Sequence, residues 1–129
     1  MESVVLDSSV VIAFLNPEDR HHKSAQREIA AATARFKIST ITVAESMVLA
    51  ARQSEAVANE FLVDLENHFG PFIVLDGQIA MAAAKLRAKT GLATPDAIIS
   101  ASASATGAML WTFDKALAKA HNGSRLIGS

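Results

Sequence analysis

Residues 4–9 have the sequence VVLDSS, and this stretch decides the fold prediction for the 129-residue chain. Two β-branched residues followed by a leucine predict a short strand that is buried on both faces, as in a parallel sheet. The polar residues that follow are suited to begin a helix, and the apolar run at 10–15 continues it. A buried strand that leads directly into a helix is typical of an α/β domain.

The same alternation of short apolar runs and helical segments continues along the chain. Further strands are predicted at 36–39, 72–75, 109–112 and 125–127. Helices are predicted at 22–33, 42–52, 54–69, 78–90, 94–106 and 114–120. With right-handed crossovers, this order predicts one domain over residues 1–129, a three-layer α/β/α fold with a mainly parallel sheet of four or five strands.

Side-chain chemistry predicts where several helices begin and end. Thr42 and Glu45 have the spacing of a capping box. Thr94 is predicted to cap a helix in which Pro95 takes the first position. Gly91 stands where a left-handed residue is expected to end the preceding helix.

Composition excludes several classes of protein. Half of the residues are hydrophobic and 19% are charged, which excludes a disordered polyelectrolyte. Cysteine is absent, so disulfide scaffolds, zinc–thiolate sites and cysteine nucleophiles are excluded. No targeting segment or apolar run of about 18 residues is evident, and we therefore expect a soluble, cytoplasmic protein with no membrane partner. The net charge of −1 argues against binding nucleic acid by charge alone.

Four acidic residues are predicted to gather at one edge of the sheet. Asp7 and Asp114 follow strands and Glu45 lies in the first turn of a helix after a strand, so simple topology places these three at the carboxyl edge. Asp96 reaches that edge only if a crossover returns the start of its helix. Gathered carboxylates repel one another unless a cation intervenes, and Mg²⁺ or Mn²⁺ prefers such oxygen ligands. Each acid taken alone also suits a helix start, so both interpretations stay open.

Four segments of the sequence resemble the acidic motifs of PIN domains. They are VVLDSSVVI at 4–12, ISTITVAE at 38–45, LATPDAIISASA at 92–103 and LWTFD at 110–114. Their order and the length of the chain are most similar to VapC toxins, which are single PIN domains from bacterial and archaeal toxin–antitoxin pairs. The resemblance extends over nearly the whole chain.

This resemblance implies a Rossmann-like fold and an endoribonuclease that requires Mg²⁺ or Mn²⁺. It implies that Asp7 and Asp96 bind the metal directly, and that Glu45 and Asp114 complete the catalytic site. It also implies an RNA substrate, inhibition by a VapB-type antitoxin and assembly into a homodimer.

Other functions stay open at the level of sequence. A PIN-like fold can serve as a non-catalytic interaction module. A phosphoacceptor domain also gathers acids at the carboxyl edge of a parallel sheet, and Asp76 is the candidate acceptor here. Two lysine pairs at helical spacing, Lys85 with Lys89 and Lys115 with Lys119, suit either contacts with an RNA backbone or a solvated surface.

Overall fold

A computed structural model describes residues 2–127 of the chain. Its strands are β1 (Glu2–Leu6), β2 (Ala34–Lys37), β3 (Met109–Thr112) and β4 (Ser124–Leu126). Its helices are α1 (Ser8–Leu15), α2 (His22–Ala31), α3 (Thr40–Ser46), α4 (Val48–Gln53), α5 (Glu55–Phe69), α6 (Gly77–Thr90), α7 (Thr94–Ala105) and α8 (Lys115–Ala120). No helix within this described range is long and apolar enough to cross a lipid bilayer.

The strands form one parallel sheet in the order β2-β1-β3-β4. The chain leaves β1 toward β2 on one side and leaves β3 toward β4 on the other. The segments that follow the two central strands therefore diverge and leave a crevice at the carboxyl edge, which is where open parallel sheets bind their ligands. The predicted α/β fold with a mainly parallel sheet is confirmed.

Two apolar clusters cover the two faces of this sheet. Val5 and Leu110 pack with residues of α6, α7 and α8 on one face. Val4, Leu6 and Trp111 pack with residues of α1 and α5 on the other. All five side chains are at most 4% exposed. Burial on both faces explains why the central strands are continuous apolar runs rather than alternating ones.

The prediction of a strand at 72–75 is wrong. Ile73 makes one isolated parallel bridge with Ser39, in which the amide of Ile73 donates to the carbonyl of Ile38 over 2.9 Å. The next two side chains, Val74 and Leu75, are 65% and 38% exposed. An apolar run that is not covered on both faces lacks the burial that stabilises a full parallel strand.

The prediction of a capping box at Thr42 and Glu45 is also wrong. Helix α3 begins earlier, at Thr40, and its cap is Ser39, whose hydroxyl accepts from the amide of Ile41 over 3.2 Å. Thr42 is fully buried and Glu45 lies in the last turn of α3, so neither residue is at the helix start. The glutamate is therefore free of the capping role that its spacing suggested.

The boundary between α6 and α7 follows the prediction except at one residue. Gly91 ends α6 with a left-handed φ of 76°, as expected from its place in the sequence. Thr94 was predicted to be a cap but is already helical, and Ala93 holds the cap position without a side-chain bond. The proline that follows supplies a helical φ without needing an amide hydrogen, which makes a side-chain cap less necessary.

Helix α7 brings its first turn to the carboxyl edge of the sheet. It packs against β1 and β3 and is joined to β3 by residues 106–108 alone. A helix that packs on a strand after so short a connection must run antiparallel to it. The crossover that Asp96 needs in order to reach this edge is therefore present.

A buried polar pair joins α7 to the end of α8. His121 is 6% exposed, and its Nδ1 lies 2.5 Å from Oγ of Ser100. Burial lowers the pKa of His121 below its ordinary 6.5, because the charged imidazolium loses its hydration. The unfolded chain therefore binds this proton more readily than the folded chain does.

This difference predicts how the free energy of unfolding depends on pH. The contribution of His121 is fully present above its unfolded pKa of 6.5 and is lost as the pH falls through 6.5 toward the lowered folded value. Between about pH 8 and about pH 5.5, wild type should lose more stability in urea titrations than His121→Gln, which does not titrate. His68→Gln on the exposed part of α5 is the control. Equal losses in wild type and His121→Gln would contradict the prediction.

Candidate active site

Asp7 follows β1 directly and is only 3% exposed. Its amide donates to the carbonyl of Trp111 over 3.1 Å, which continues the pairing of β1 with β3. Its Oδ1 accepts from the amide of Val10 at 3.1 Å and from the hydroxyl of Ser9 at 2.6 Å, and the carboxylate so caps α1. The cap and the strand pairing together fix the direction of this carboxylate.

Thr112, the last residue of β3, joins two of the predicted acids. Its fully buried hydroxyl donates to Oδ2 of Asp7 and accepts from the amide of Asp114 over 2.8 Å. Oδ1 of Asp114 in turn accepts from the amide of Ala116 at 2.8 Å and caps α8. One hydroxyl thus sets the separation of the two acidic turns at the crevice between β1 and β3.

The role of Thr112 does not follow from the sequence motifs. The available signal was a polar residue at the end of an otherwise apolar strand, two positions before Asp114. A buried hydroxyl needs hydrogen-bond partners, and the carboxyl edge is where such partners lie. Its contact with Asp7 spans 105 positions in the sequence, so spacing alone could not predict it.

Glu45 is brought to the same edge by the packing of α3 on α1. Oγ of Ser8 lies 2.5 Å from Oε1 of Glu45 and 3.2 Å from Oγ1 of Thr42. Ser8 directly follows Asp7 in the chain, so this hydroxyl ties the carboxylate of Glu45 to the turn after β1. A hydrogen bond to an ionised carboxylate is stronger than one between neutral groups.

Asp96 lies in the first turn of α7 and is partly buried. Burial raises its pKa, and so do the negative charges of three nearby acids: Asp114, Asp7 and Glu45. The pKa of Asp7 is also raised, first by burial and further by the charge of Asp114, although its hydrogen bonds oppose the shift. The structure thus brings together all four sequence-predicted acids as one electrostatically coupled group, which we call the acid cluster.

The acid cluster has the charge and donor atoms that suit a hard divalent cation. Within residues 2–127 the one salt bridge joins Arg125 to Glu28, so no lysine or arginine there forms an ion pair with the cluster. In this part of the chain no three acidic or histidine side chains are arranged to hold an ion together. Mg²⁺, however, is commonly bound by one or two carboxylates and keeps several waters. The residues therefore fit a hydrated Mg²⁺ or Mn²⁺.

Asp76, the candidate phosphoacceptor, has a structural explanation. Its side chain is exposed and accepts from the amide of Ile79 over 2.8 Å, which caps α6. A capping aspartate of this kind stabilises a helix by about 1 kcal/mol. The phosphoacceptor alternative gains no support from this geometry.

The sequence matches the family model described as PIN domain over residues 4–122. The chain belongs to the PIN domain family. The resemblance drawn from the four acidic motifs is thereby confirmed. Among curated proteins, none matches the chain in sequence.

Several solved structures are similar to this PIN domain. A chain of the toxin–antitoxin complex from Klebsiella pneumoniae is 25% identical, with a TM-score of 0.79 and coverage of 95% of each chain. FitAcB from Neisseria gonorrhoeae is 24% identical, with a TM-score of 0.71 over 91% of each chain. VapC20 from Mycobacterium tuberculosis, described as a sarcin–ricin loop cleaving toxin, is 19% identical, with a TM-score of 0.76 over 91% of this chain and 94% of that one.

Repulsion within the acid cluster predicts that removing one charge stabilises the fold. Because the folded state raises the pKa of Asp96, its ionised form is less favourable there than in the unfolded chain at neutral pH. In buffer with a chelator at pH 7, Asp96→Asn should therefore raise Tm relative to wild type. Asp64→Asn, at an exposed position of α5, should leave Tm unchanged. A lower Tm for Asp96→Asn than for wild type would show that repulsion among the four acids does not destabilise the fold.

Proposed function

We propose that this PIN domain is a metal-dependent endoribonuclease and the toxin of a VapBC-type pair. The observation that carries the proposal is the acid cluster: four carboxylates from separate elements meet at the crevice between β1 and β3. The resemblance to PIN domains implies a divalent metal ion, and the donor set of the cluster fits one. Hydrolysis of an RNA phosphodiester at this edge is the reaction that the arrangement suits best.

Asp7 and Asp96 would hold the ion, as the resemblance to PIN domains implies, and a cation would offset the burial that raises the pKa of both carboxyls. Asp7 is held rigidly by its cap and by Thr112, which limits the reorganisation needed to bind a cation. When bound, Mg²⁺ or Mn²⁺ polarises water and offsets charge on the phosphate and on the departing oxygen. This chemistry explains how an acidic pocket can accept a polyanionic substrate.

Glu45 and Asp114 would orient the attacking water. One oxygen of each carboxylate is already engaged, by the hydroxyl of Ser8 and by the amide of Ala116 respectively. These contacts fix both carboxylates, and their other oxygens, Oε2 and Oδ2, are available to accept hydrogen bonds from water. A carboxylate in this position can take a proton from the water as it attacks the phosphate.

A non-catalytic interaction module is the alternative, and the energetics of the site argue against it. Asp7 is nearly inaccessible to solvent. This burial and the negative charge of the neighbouring Asp114 both disfavour its ionised form. Perturbed acids that share a cleft are a feature of functional sites. A surface that served only to bind a partner would not need this costly arrangement.

The partner of the proposed toxin is a VapB-type antitoxin, and an apolar groove beside Glu45 supports this. The groove has a volume of about 260 Å³, and its lining includes Ile12, Leu15, Leu49 and Phe61. Two adjacent apolar residues of the lining, Val48 and Leu49, are 45% and 63% exposed, and contiguous exposed apolar surface marks interaction sites. An apolar segment of the antitoxin bound in this groove would lie beside Glu45 and block access to the acid cluster. Homodimerisation and a cytoplasmic location are further parts of the proposal.

Asparagine at either proposed metal position should abolish RNA cleavage. Asp7→Asn and Asp96→Asn each remove an anionic oxygen ligand, and asparagine at position 7 can still cap α1. We expect cleavage of a labelled RNA with Mn²⁺ to fall at least about 100-fold in single-turnover assays. Asp64→Asn is the matched control and should cleave like wild type, whereas chelation should stop cleavage in every sample. Near-normal rates in either active-site variant would contradict the assigned roles.

A charge in the apolar groove should weaken antitoxin binding. Leu49→Glu places a carboxylate where an apolar segment would pack, and burial of an unpaired charge costs several kcal/mol. After co-expression with the protein of the adjacent reading frame, this variant should lose co-purification of that protein. Val63→Glu, at a position on α5 that is 55% exposed and lies outside the groove, is the control. Retention by Leu49→Glu at the wild-type level would exclude the groove as the docking site.

A further inference from the structure

A second cavity borders the acid cluster, between the connection from α6 to α7 and helix α8. We call it the α8 cleft, and it has a volume of about 560 Å³. Its lining contains one member of the acid cluster, Asp96, and one basic residue, Lys119. Small residues make up much of the remaining lining: Gly91, Ala93, Ala116 and Ala120.

Both walls of the α8 cleft are held by contacts of their own. On one wall the guanidinium of Arg87 donates to the carbonyl of Leu92 over 2.5 Å, and Oγ1 of Thr90 accepts from the amide of Leu92 over 3.2 Å. Gly91, whose backbone is left-handed, turns the chain between Thr90 and Leu92. On the other wall α8 is anchored by Leu117, which is fully buried. The cleft is therefore formed before any ligand binds, as is usual for ligand sites.

The size and charge of the α8 cleft suit one nucleotide. Its volume lies within the range of about 300–1,000 Å³ that is typical of small-molecule sites. The small side chains leave room for a flat base. Lys119 supplies an exposed positive charge, and Lys115 lies one turn earlier on the same helix. The apolar groove beside Glu45 is less suited to a phosphate.

We propose that the α8 cleft binds the nucleotide that adjoins the cleaved bond, and that Lys119 contacts its phosphate. The inference rests on the proposed ribonuclease function and adds the path of the substrate. Because Asp96 borders both the acid cluster and the cleft, a strand held at the cluster continues into the cleft without a break. Lys119 then contributes to RNA affinity and to the choice of cleavage site, whereas the acids carry out the chemistry.

The first test compares Lys119→Gln with Lys85→Gln, a matched change on an exposed position of α6 that lies outside the cleft. With single-stranded RNA, Lys119→Gln should raise KM about fivefold and leave kcat within about twofold. In an Asp7→Asn background, in which we expect cleavage to be abolished, adding Lys119→Gln should reduce the slope of log Kd against log salt by about one between about 50 and 200 mM KCl, relative to Asp7→Asn alone. Lys85→Gln should change neither quantity.

The second test fills the α8 cleft without changing charge. Ala116→Leu adds bulk at an exposed position of α8 that lines the cleft, and Ala88→Leu adds the same bulk at an exposed position of α6 outside it. Ala116→Leu should weaken RNA binding at least about threefold and shift the pattern of cleavage products, with Tm unchanged. Ala88→Leu should behave as wild type.

The outcomes separate this inference from the proposed function. If wild type neither binds nor cleaves RNA with Mn²⁺, the ribonuclease proposal fails and the cleft proposal fails with it. If wild type cleaves RNA but Lys119→Gln and Ala116→Leu match their controls, the ribonuclease proposal stands and the cleft proposal is overturned. The cleft proposal is supported only if both Lys119→Gln and Ala116→Leu bind RNA more weakly than their controls.

Discussion

The hydroxyl of Thr112 is the contact on which the arrangement of the acid cluster depends. It donates to Asp7 and accepts from the backbone of Asp114, so it couples the ends of the two central strands. Since β1 and β3 are neighbours whose following segments diverge, the carboxyl edge opens there and the two acids face one crevice. Ser8 then ties in Glu45, and the antiparallel course of α7 adds Asp96. Local hydrogen bonds thus assemble residues that lie far apart in the chain.

This arrangement stores unfavourable electrostatic energy that the rest of the fold has to offset. Burial and mutual repulsion raise the pKa values of Asp7 and Asp96, so each ionised form weakens the folded state at neutral pH. The offset comes from the sheet, whose central strands are covered on both faces by apolar clusters. Natural proteins retain such local conflicts mainly at functional sites, and a cation or a substrate-bound cation relieves them. Under the proposed function, stability and activity therefore make opposite demands on Asp7 and Asp96.

Local patterns predicted the parts of the fold that local physics decides. The continuous apolar runs of β1 and β3 require burial on both faces, and the capping roles of Asp7 and Asp114 follow from a polar residue between strand and helix. The strand at 72–75 failed because its exposed end lacks the coverage that a parallel strand requires, which sequence cannot reveal. The spacing of Thr42 and Glu45 is that of a capping box, but α3 begins at Thr40 and its cap is Ser39. The partners of Thr112 and the α8 cleft depend on tertiary packing.

We infer that the acid cluster forms one site for a divalent cation. Mn²⁺ binding to the purified protein, followed by electron paramagnetic resonance of the free ion, tests it most directly and needs no RNA. We expect saturable binding to wild type and affinity at least about tenfold weaker in Asp7→Asn and in Asp96→Asn. Binding of equal strength in wild type and both variants, or none in wild type, would contradict it.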